Sequence, residues 1–297
     1  MQHPIPPIIL NNSNTMPQLG LGVWQAKNGE EVEQAVAAAL KAGYRMIDTA
    51  AVYGNEAGVG RAVSASGIPR EELFITTKLW NSDQGYKKTL RAYEKSLKRL
   101  GLDYVDLYLI HWPAPKLDNY IESWRAMETI YYDKRVRNIG LSNFEINHVE
   151  KLLANATVIP AVNQIEVHPR FPQTALRNYC TEHGIKVESW SPLGGGKGNL
   201  LHNPLVNKIA QKHHKSHAQI ILRWHIQQNL IVIPKSINDQ RIIENRQIFD
   251  FELDVDDMNQ LALLNTNTRI GVSPNSANFT WPTRLVQLAH KFRLVHW

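Results

Sequence analysis

The chain is poorest in cysteine: Cys180 is the only one among 297 residues, so no intrachain disulfide can form and a disulfide-stapled secreted scaffold is excluded. A reducing compartment follows, and a cytoplasmic location is expected. No run of about 18 consecutive apolar residues occurs, so no spanning helix is expected. The opening M-Q-H-P-I-P-P-I-I-L has no basic stretch leading into an apolar one, so it does not read as a secretory signal. No Pro/Gly/Ser-rich linker and no shift in composition divides the chain, and one domain over residues 1–297 is expected. With 43% apolar and 20% charged residues the composition is that of an ordinary globular protein, which sets aside disorder, collagen and coiled coil.

Charge of one sign is not concentrated either. The 33 basic residues exceed the 27 acidic ones by 6, a balance compatible with nucleic acid, an anionic membrane or a phosphorylated small molecule. The clusters at 95–99 and 134–137 are short, and the first lies on a helix pattern whose Leu97 and Leu100 face inward. A solvated helix face is the plainer reading of these clusters, and a small-molecule partner is expected, with no nucleic acid, no membrane and a monomeric chain.

What is present is alternation. Short β-branched or aliphatic runs at 19–23, 46–49, 73–77, 106–110, 138–141, 162–166, 186–189 and 230–233 alternate with stretches whose apolar residues recur every three or four positions. Leu90, Tyr93, Leu97 and Leu100 form one such helical face; Ile121, Trp124, Met127 and Tyr131 form another. Eight strand–helix units predict an α/β fold, a (β/α)8 TIM barrel with its core at about 18–265 and a C-terminal segment at 266–297. Residues 8–17 read as an N-terminal β-hairpin turning through Asn11, Asn12, Ser13 and Asn14, because Asn tolerates left-handed turn positions. The rival doubly wound dinucleotide fold needs G-x-G-x-x-G after its first strand, and only the fragments Gly20/Gly22 and Gly58/Gly60 are present.

Barrel enzymes build their sites at the carboxyl ends of the strands. Asp48 ends M-I-D, Tyr53 follows in the next loop, Lys78 ends F-I-T-T-K and His111 ends L-Y-L-I-H. Taken singly each has a plainer reading: a helix N-cap, an interfacial aromatic, a rim charge, one of 12 histidines. Together they converge on one mouth and make chemical sense. A phenol of ordinary pKa about 10 becomes a proton donor near neutrality when an ammonium lies beside it, and Asp48 would hold that ammonium. Burial opposes the effect, so a modest net lowering of the Tyr53 pKa is expected.

Three motifs carry a resemblance over nearly the whole chain. G-Y-R-M-I-D-T-A-A-V-Y-G-N-E (43–56), L-D-Y-V-D-L-Y-L-I-H-W-P (102–113) and P-K-S-I-N-D-Q-R-I-I-E-N (234–245) resemble the signatures of the aldo-keto reductases. T-T-K-L-W, I-G-L-S-N-F, N-Q-I-E-x-H-P and S-W-S-P-L-G fill the intervening strand ends in family order. The loop 194–199, Trp190 and M-P-Q-L-G-L-G-V-W are most similar to the bacterial branch that includes 2,5-diketogluconate reductases. The resemblance implies NADPH-dependent reduction of aldehydes and ketones, with Tyr53 as general acid, Lys78 and Asp48 tuning it, and His111 orienting the substrate carbonyl.

It further implies that Trp190 stacks on the nicotinamide and that Ser142, Asn143 and Gln164 bond its carboxamide. Ser191, Leu193, Gly194 and Gly196 would line the pyrophosphate; Lys235, Ser236, Arg241, Glu244 and Asn245 would clamp the adenosine end. The last group has independent support. Lys235, Ser236 and Arg241 surround a helix start, where backbone N–H groups and the dipole favour an anion, and two cations suit a 2′-phosphate better than a bare ribose.

Trp24, Trp80 and Trp112 would wall a compact substrate pocket beside His111, which suits small dicarbonyls and keto-sugar acids such as 2,5-diketogluconate. Met46 and the apolar tail P-T-R-L-V-Q-L-A-H-K-F-R-L-V-H-W depart from the pattern of close bacterial relatives, and the tail bears on the pocket. A non-catalytic nucleotide-binding redox sensor on the same fold is the alternative. A metal is not expected: His213, His214 and His217 lack the Glu of H-E-x-x-H, and Ser216 between them reads as a helix cap. Cys180, one turn from Leu176, reads as a core thiol.

Overall fold

The computed structural model describes residues 3–196, 199–279, 281–282 and 286. Two short antiparallel strands, β1 (Pro7–Ile9) and β2 (Thr15–Pro17), precede eight parallel ones. These are β3 (Leu21–Gly22), β4 (Met46–Asp48), β5 (Phe74–Leu79), β6 (Val105–Ile110), β7 (Val136–Ser142), β8 (Val162–Glu166), β9 (Lys186–Trp190) and β10 (Ile231–Val232). They are hydrogen-bonded in chain order, and the bridges Leu19 to Val232 and Gly22 to Lys235 close the ring. This is the expected (β/α)8 barrel. The expected strand at 19–23 is the most reduced, because only Leu21–Gly22 pair regularly with β4 while Leu19 bridges to the other side.

Helices α1 (Glu30–Lys41), α2 (Glu56–Ala65), α3 (Tyr86–Leu100), α4 (Tyr120–Tyr132), α5 (Ile146–Leu153), α6 (Thr174–Glu182), α7 (Pro204–His213), α8 (His217–Gln227), α9 (Asp239–Arg246) and α10 (Val255–Ala262) accompany the strands. On α3 the apolar stripe buries Tyr93, Leu97 and Leu100, and Gly101 ends the helix with φ 64°. On α4 Trp124 and Met127 are fully buried, as their spacing predicts. Ser216 caps α8 by accepting from the Gln219 N–H, which is its expected role. Cys180 lies in the same layer, and burial pushes its thiol up to about 11, so it is a core residue.

The hairpin forms the floor of the barrel. Ile8, Leu10 and Met16 pack with the inward residues Met46, Phe74, Leu107, Leu109, Val162, Ile231 and Ile233 in one apolar cluster. Its left-handed turn position falls on Ser13, φ 67°, and not on an asparagine. The asparagines tie the hairpin to the barrel instead: Asn12 and Asn14 donate to Asn138 Oδ1 at 2.9 and 3.1 Å, and Asn11 donates to the Pro160 carbonyl at 3.0 Å.

Candidate active site

Two residues above the floor, the same strands turn polar. Side chains alternate across a strand, so Met46 and Asp48, Val162 and Gln164, and Trp190 and Glu188 share inward faces. Lys78 lies within β5 rather than following it, and it is fully buried. Its Nζ donates to Asp48 Oδ1 at 2.5 Å, to the Thr49 carbonyl at 3.0 Å and to the Tyr53 hydroxyl at 3.4 Å.

Tyr53 ends a short 3-10 turn, Ala51–Tyr53, whose continuation is broken by Gly54 at φ 73°. Buried Asn55 holds that loop, donating to the carbonyls of Val23 and Ala26 at 2.8 and 3.0 Å while Thr49 Oγ1 donates to its side chain at 2.7 Å. Tyr53 and Trp80 both meet the His111 ring edge-on, with centroids 5.7 and 5.4 Å away. The four residues expected to act together are therefore brought together.

Their ionisation follows from the dry surroundings. Burial works against the charge on Lys78, yet Asp48 and Tyr53 outweigh it and raise its pKa above the ordinary value. His111 is held well below its ordinary range, first by burial and then by the Lys78 charge, so it is a neutral imidazole at pH 7. Neither of its ring nitrogens has a hydrogen-bond partner among the described residues, and Nδ1 is buried. For Tyr53 the expected lowering is not what the structure gives: burial raises its pKa by more than the Lys78 ammonium lowers it. Before any ligand binds, Tyr53 is a fully protonated donor, and Lys78 acts on the phenolate it would leave behind.

Trp190 closes one side of the mouth. Its Nε1 donates to Asn143 Oδ1 at 2.8 Å, and Asn143 Nδ2 donates to the His111 carbonyl at 3.0 Å and to Ser142 Oγ at 3.1 Å. Asn143 thus spends both ends of its amide on the protein at φ 64°. The opposite edge of Trp190 meets Gly271, where a Cβ would come within 2.6 Å of the ring. Glu166, unforeseen as a site residue, pins this segment: its two oxygens accept from the N–H groups of Ile270 and Gly271 at 2.7 and 2.8 Å, and His168 lies 3.0 Å away.

Glu188 was likewise not foreseen. It is fully buried and reaches Gln164 Nε2 at 2.7 Å, and burial together with the Asp48 charge pushes its carboxyl up to about 8. The available signal was parity: each carboxyl stands two positions from an expected site residue, Glu166 from Gln164 and Glu188 from Trp190.

On the substrate side Trp80, Val52, Ala50 and Val286 form an apolar cluster joined by Tyr53, Trp112 and Phe279. Trp80 Nε1 donates to the Trp281 carbonyl at 3.0 Å, and Phe279 meets Trp112 edge-on at 5.9 Å. The chain after residue 278 therefore does reach the pocket wall. Trp24 is half-buried and is not a member of that cluster.

The adenosine end was expected on α9. Asn238 caps the helix by accepting from the Arg241 N–H at 3.0 Å, and Ser236 Oγ accepts from the Asn238 N–H at 3.1 Å. Among the described residues neither Lys235 nor Arg241 is ion-paired, which leaves two cations at a helix N-terminus, a fit for a phosphate. Asn245 is buried, while Glu244 is half-buried and its carbonyl accepts from Gln219. Ser191 (φ 48°), Leu193, Gly194 and Gly196 follow Trp190; residues 197–198 of the loop lie outside the described residues, as do residues 287–297 of the tail.

The chain is similar to known proteins over most of its length. The model of the aldo/keto reductase family matches residues 18–266. The glyoxal reductase of Bacillus subtilis (strain 168) is 54% identical over 270 residues, 91% of this chain and 96% of that protein. The methylglyoxal reductase DkgA of Salmonella typhimurium is 47% identical over 268 residues, 90% of this chain and 96% of that one. A mutant of Gox0644 solved in complex with NADPH superposes with a TM-score of 0.89 at 45% identity, covering 93% of this chain and all of that one.

Proposed function

Because the chain belongs to the aldo/keto reductase family and is an NADP-dependent oxidoreductase, we propose that it reduces small aldehydes and ketones, dicarbonyls and keto-sugar acids foremost, with Tyr53 as proton donor. The observation that carries the reading is the buried Asp48–Lys78–Tyr53 chain opening beside a neutral His111.

When bound, NADPH supplies the hydride. The residues that fit it are Trp190 as a stacking surface, Ser142 and Gln164 for the carboxamide, and Lys235 and Arg241 for the phosphate. His111, carrying one N–H, donates to the substrate carbonyl and fixes its direction. Tyr53 gives its proton to the oxygen as negative charge develops there, and Lys78, 3.4 Å away, stabilises the phenolate left behind. Asp48 keeps the ammonium in place and charged. The apolar floor excludes water, so each of these interactions acts in a low dielectric.

The substrate class rests on the aromatic wall of Trp80, Trp112 and Phe279, which favours compact carbonyl compounds, and on the glyoxal and methylglyoxal activities in the relatives' names. A monomeric, cytoplasmic protein is part of the same reading. The test is steady-state NADPH oxidation with methylglyoxal, diketogluconate and a steroid ketone. Higher catalytic efficiency with the two small compounds is expected; a steroid that outperforms both overturns the substrate assignment.

A further inference from the structure

Gln164 of β8 stands opposite Glu188 of β9 in the parallel register, so the two side chains enter one layer of the barrel interior. Its Nε2 donates to Asp48 Oδ2 at 2.9 Å and to Glu188 Oε2 at 2.7 Å. A primary amide nitrogen has two hydrogens, and both are spent here. The amide's carbonyl oxygen, Oε1, has no partner among the described residues. Turning the amide over would set Oε1 against the Asp48 carboxylate, oxygen to oxygen with no hydrogen between. Two carboxyl groups therefore decide which atom of Gln164 remains for a ligand.

Packing alone does not account for a carboxyl at position 188. Its other oxygen, Glu188 Oε1, is buried without a partner, and a buried unsatisfied polar atom costs about 1–3 kcal/mol. A leucine fills similar space without that cost. The Gln164 amide is the one side-chain hydrogen-bond partner Glu188 has among the described residues. The carboxyl also coexists with Asp48, because burial and the Asp48 charge keep it protonated at pH 7. Its proton then resides on Oε1, which leaves Oε2 free to accept. The charged and titratable groups that face it are Asp48 on β4, Lys78 on β5 and Tyr53 in the loop after β4; on its other flank β10 presents Ile231.

We propose that Glu188 is a positioning residue for the nicotinamide: it locks the Gln164 amide so that Oε1, an acceptor, meets the N–H of the cofactor's carboxamide. The inference rests on the reductase reading above and deepens it. In that reading Gln164 meets the carboxamide together with Ser142, and Glu188, beside Asp48, is what holds it in an acceptor's polarity.

The experiment uses binding, not turnover. The probes are NADP+ and its 3-acetylpyridine analogue, which replaces the carboxamide nitrogen by a methyl group and so removes the N–H donor at constant charge and nearly constant size. Dissociation constants follow from quenching of tryptophan fluorescence. The native chain should bind NADP+ about fivefold more tightly than the analogue, the equivalent of one neutral hydrogen bond. Glu188→Leu and Glu188→Thr both remove the acceptor that locks Gln164, and whichever folds should bring the ratio to about one. Its preference for NADP+ over NAD+, set at the far end of the cofactor, should not change. Glu188→Gln supplies a carbonyl oxygen to Gln164 Nε2 and should restore the ratio, which a loss through general loosening would not do. A ratio unchanged in Glu188→Leu or Glu188→Thr overturns the proposal, as does a Glu188→Gln that loses it equally. A native chain that binds NADP+ without discriminating the analogue also overturns it, and leaves the reductase reading standing. Absence of NADP+ binding overturns both.

Discussion

The floor and the mouth of the barrel interior are built from the same strands and differ by a step of two to four residues. In β4 that step leads from Met46 to Asp48, in β5 from Phe74 to Lys78, and in β8 from Val162 to Gln164. Below it every inward side chain named is apolar and the hairpin seals the end; above it four ionisable groups share one hydrogen-bonded chain with Gln164. The difference teaches that the two halves are not separate devices. The floor keeps water from the mouth, and that dryness shifts His111 down and Tyr53 and Glu188 up, while Asp48 and Tyr53 hold Lys78 charged against it.

Breaking the mouth should cost activity before it costs folding. Lys78→Met is expected to have the largest effect: the Tyr53 phenolate loses its counter-ion and Asp48 its partner, and carbonyl reduction should fall by about 10² to 10⁴, measured as kcat with methylglyoxal. Breaking the floor should do the reverse. Phe74→Ala should destabilise by about 3–5 kcal/mol in urea unfolding while kcat of the folded enzyme changes little. At the rim, where Arg241 is exposed and has no ion pair among the described residues, Arg241→Ala should weaken NADPH binding about tenfold or more and hardly alter that of NADH. Equal losses for both cofactors would contradict the phosphate assignment.

The smallest effect joins the two halves. The Glu188 carboxyl ionises near pH 8 in the folded chain against an ordinary value of 4.5. Between those values the folded state holds a proton that the unfolded state has released, so the stability Glu188 contributes is full below pH 4.5 and lost as pH rises through 8. Glu188→Gln has no such dependence. Its melting temperature should gain on the native chain from pH 5 to pH 8, by roughly 2–4 °C for each kcal/mol involved. Parallel pH profiles would place Glu188 in a wetter site than the floor provides.

The floor was easy to read and the mouth only partly. Parallel strands buried on both faces appear as short apolar runs, so all eight were found, and the pairing at 19–23 was trimmed most, because that run serves neighbours on two sides. Asp48, Lys78 and His111 were legible because each closes an apolar run with a charged or polar group. Glu166 and Glu188 were missed, since one carboxyl in a strand looks the same in sequence whether it faces solvent or the barrel axis until its parity with an inward residue is counted. The direction of the Tyr53 shift was misjudged for a related reason. The Lys78 charge can be counted along the chain, but the depth of burial that outweighs it cannot. Nor could the sequence show that Ile270 and Gly271 return to Glu166, a contact across more than a hundred residues.

The proton donor is the centre of the account, and a single-turnover measurement tests it most directly. Tyr53→Phe, purified, folded and loaded with NADPH, is mixed with methylglyoxal, and cofactor oxidation is followed by absorbance. The account predicts that NADPH still binds and that the rate falls by at least about 10² to 10⁴ relative to the native chain. A variant that binds NADPH and reduces the aldehyde at near the native rate would contradict it.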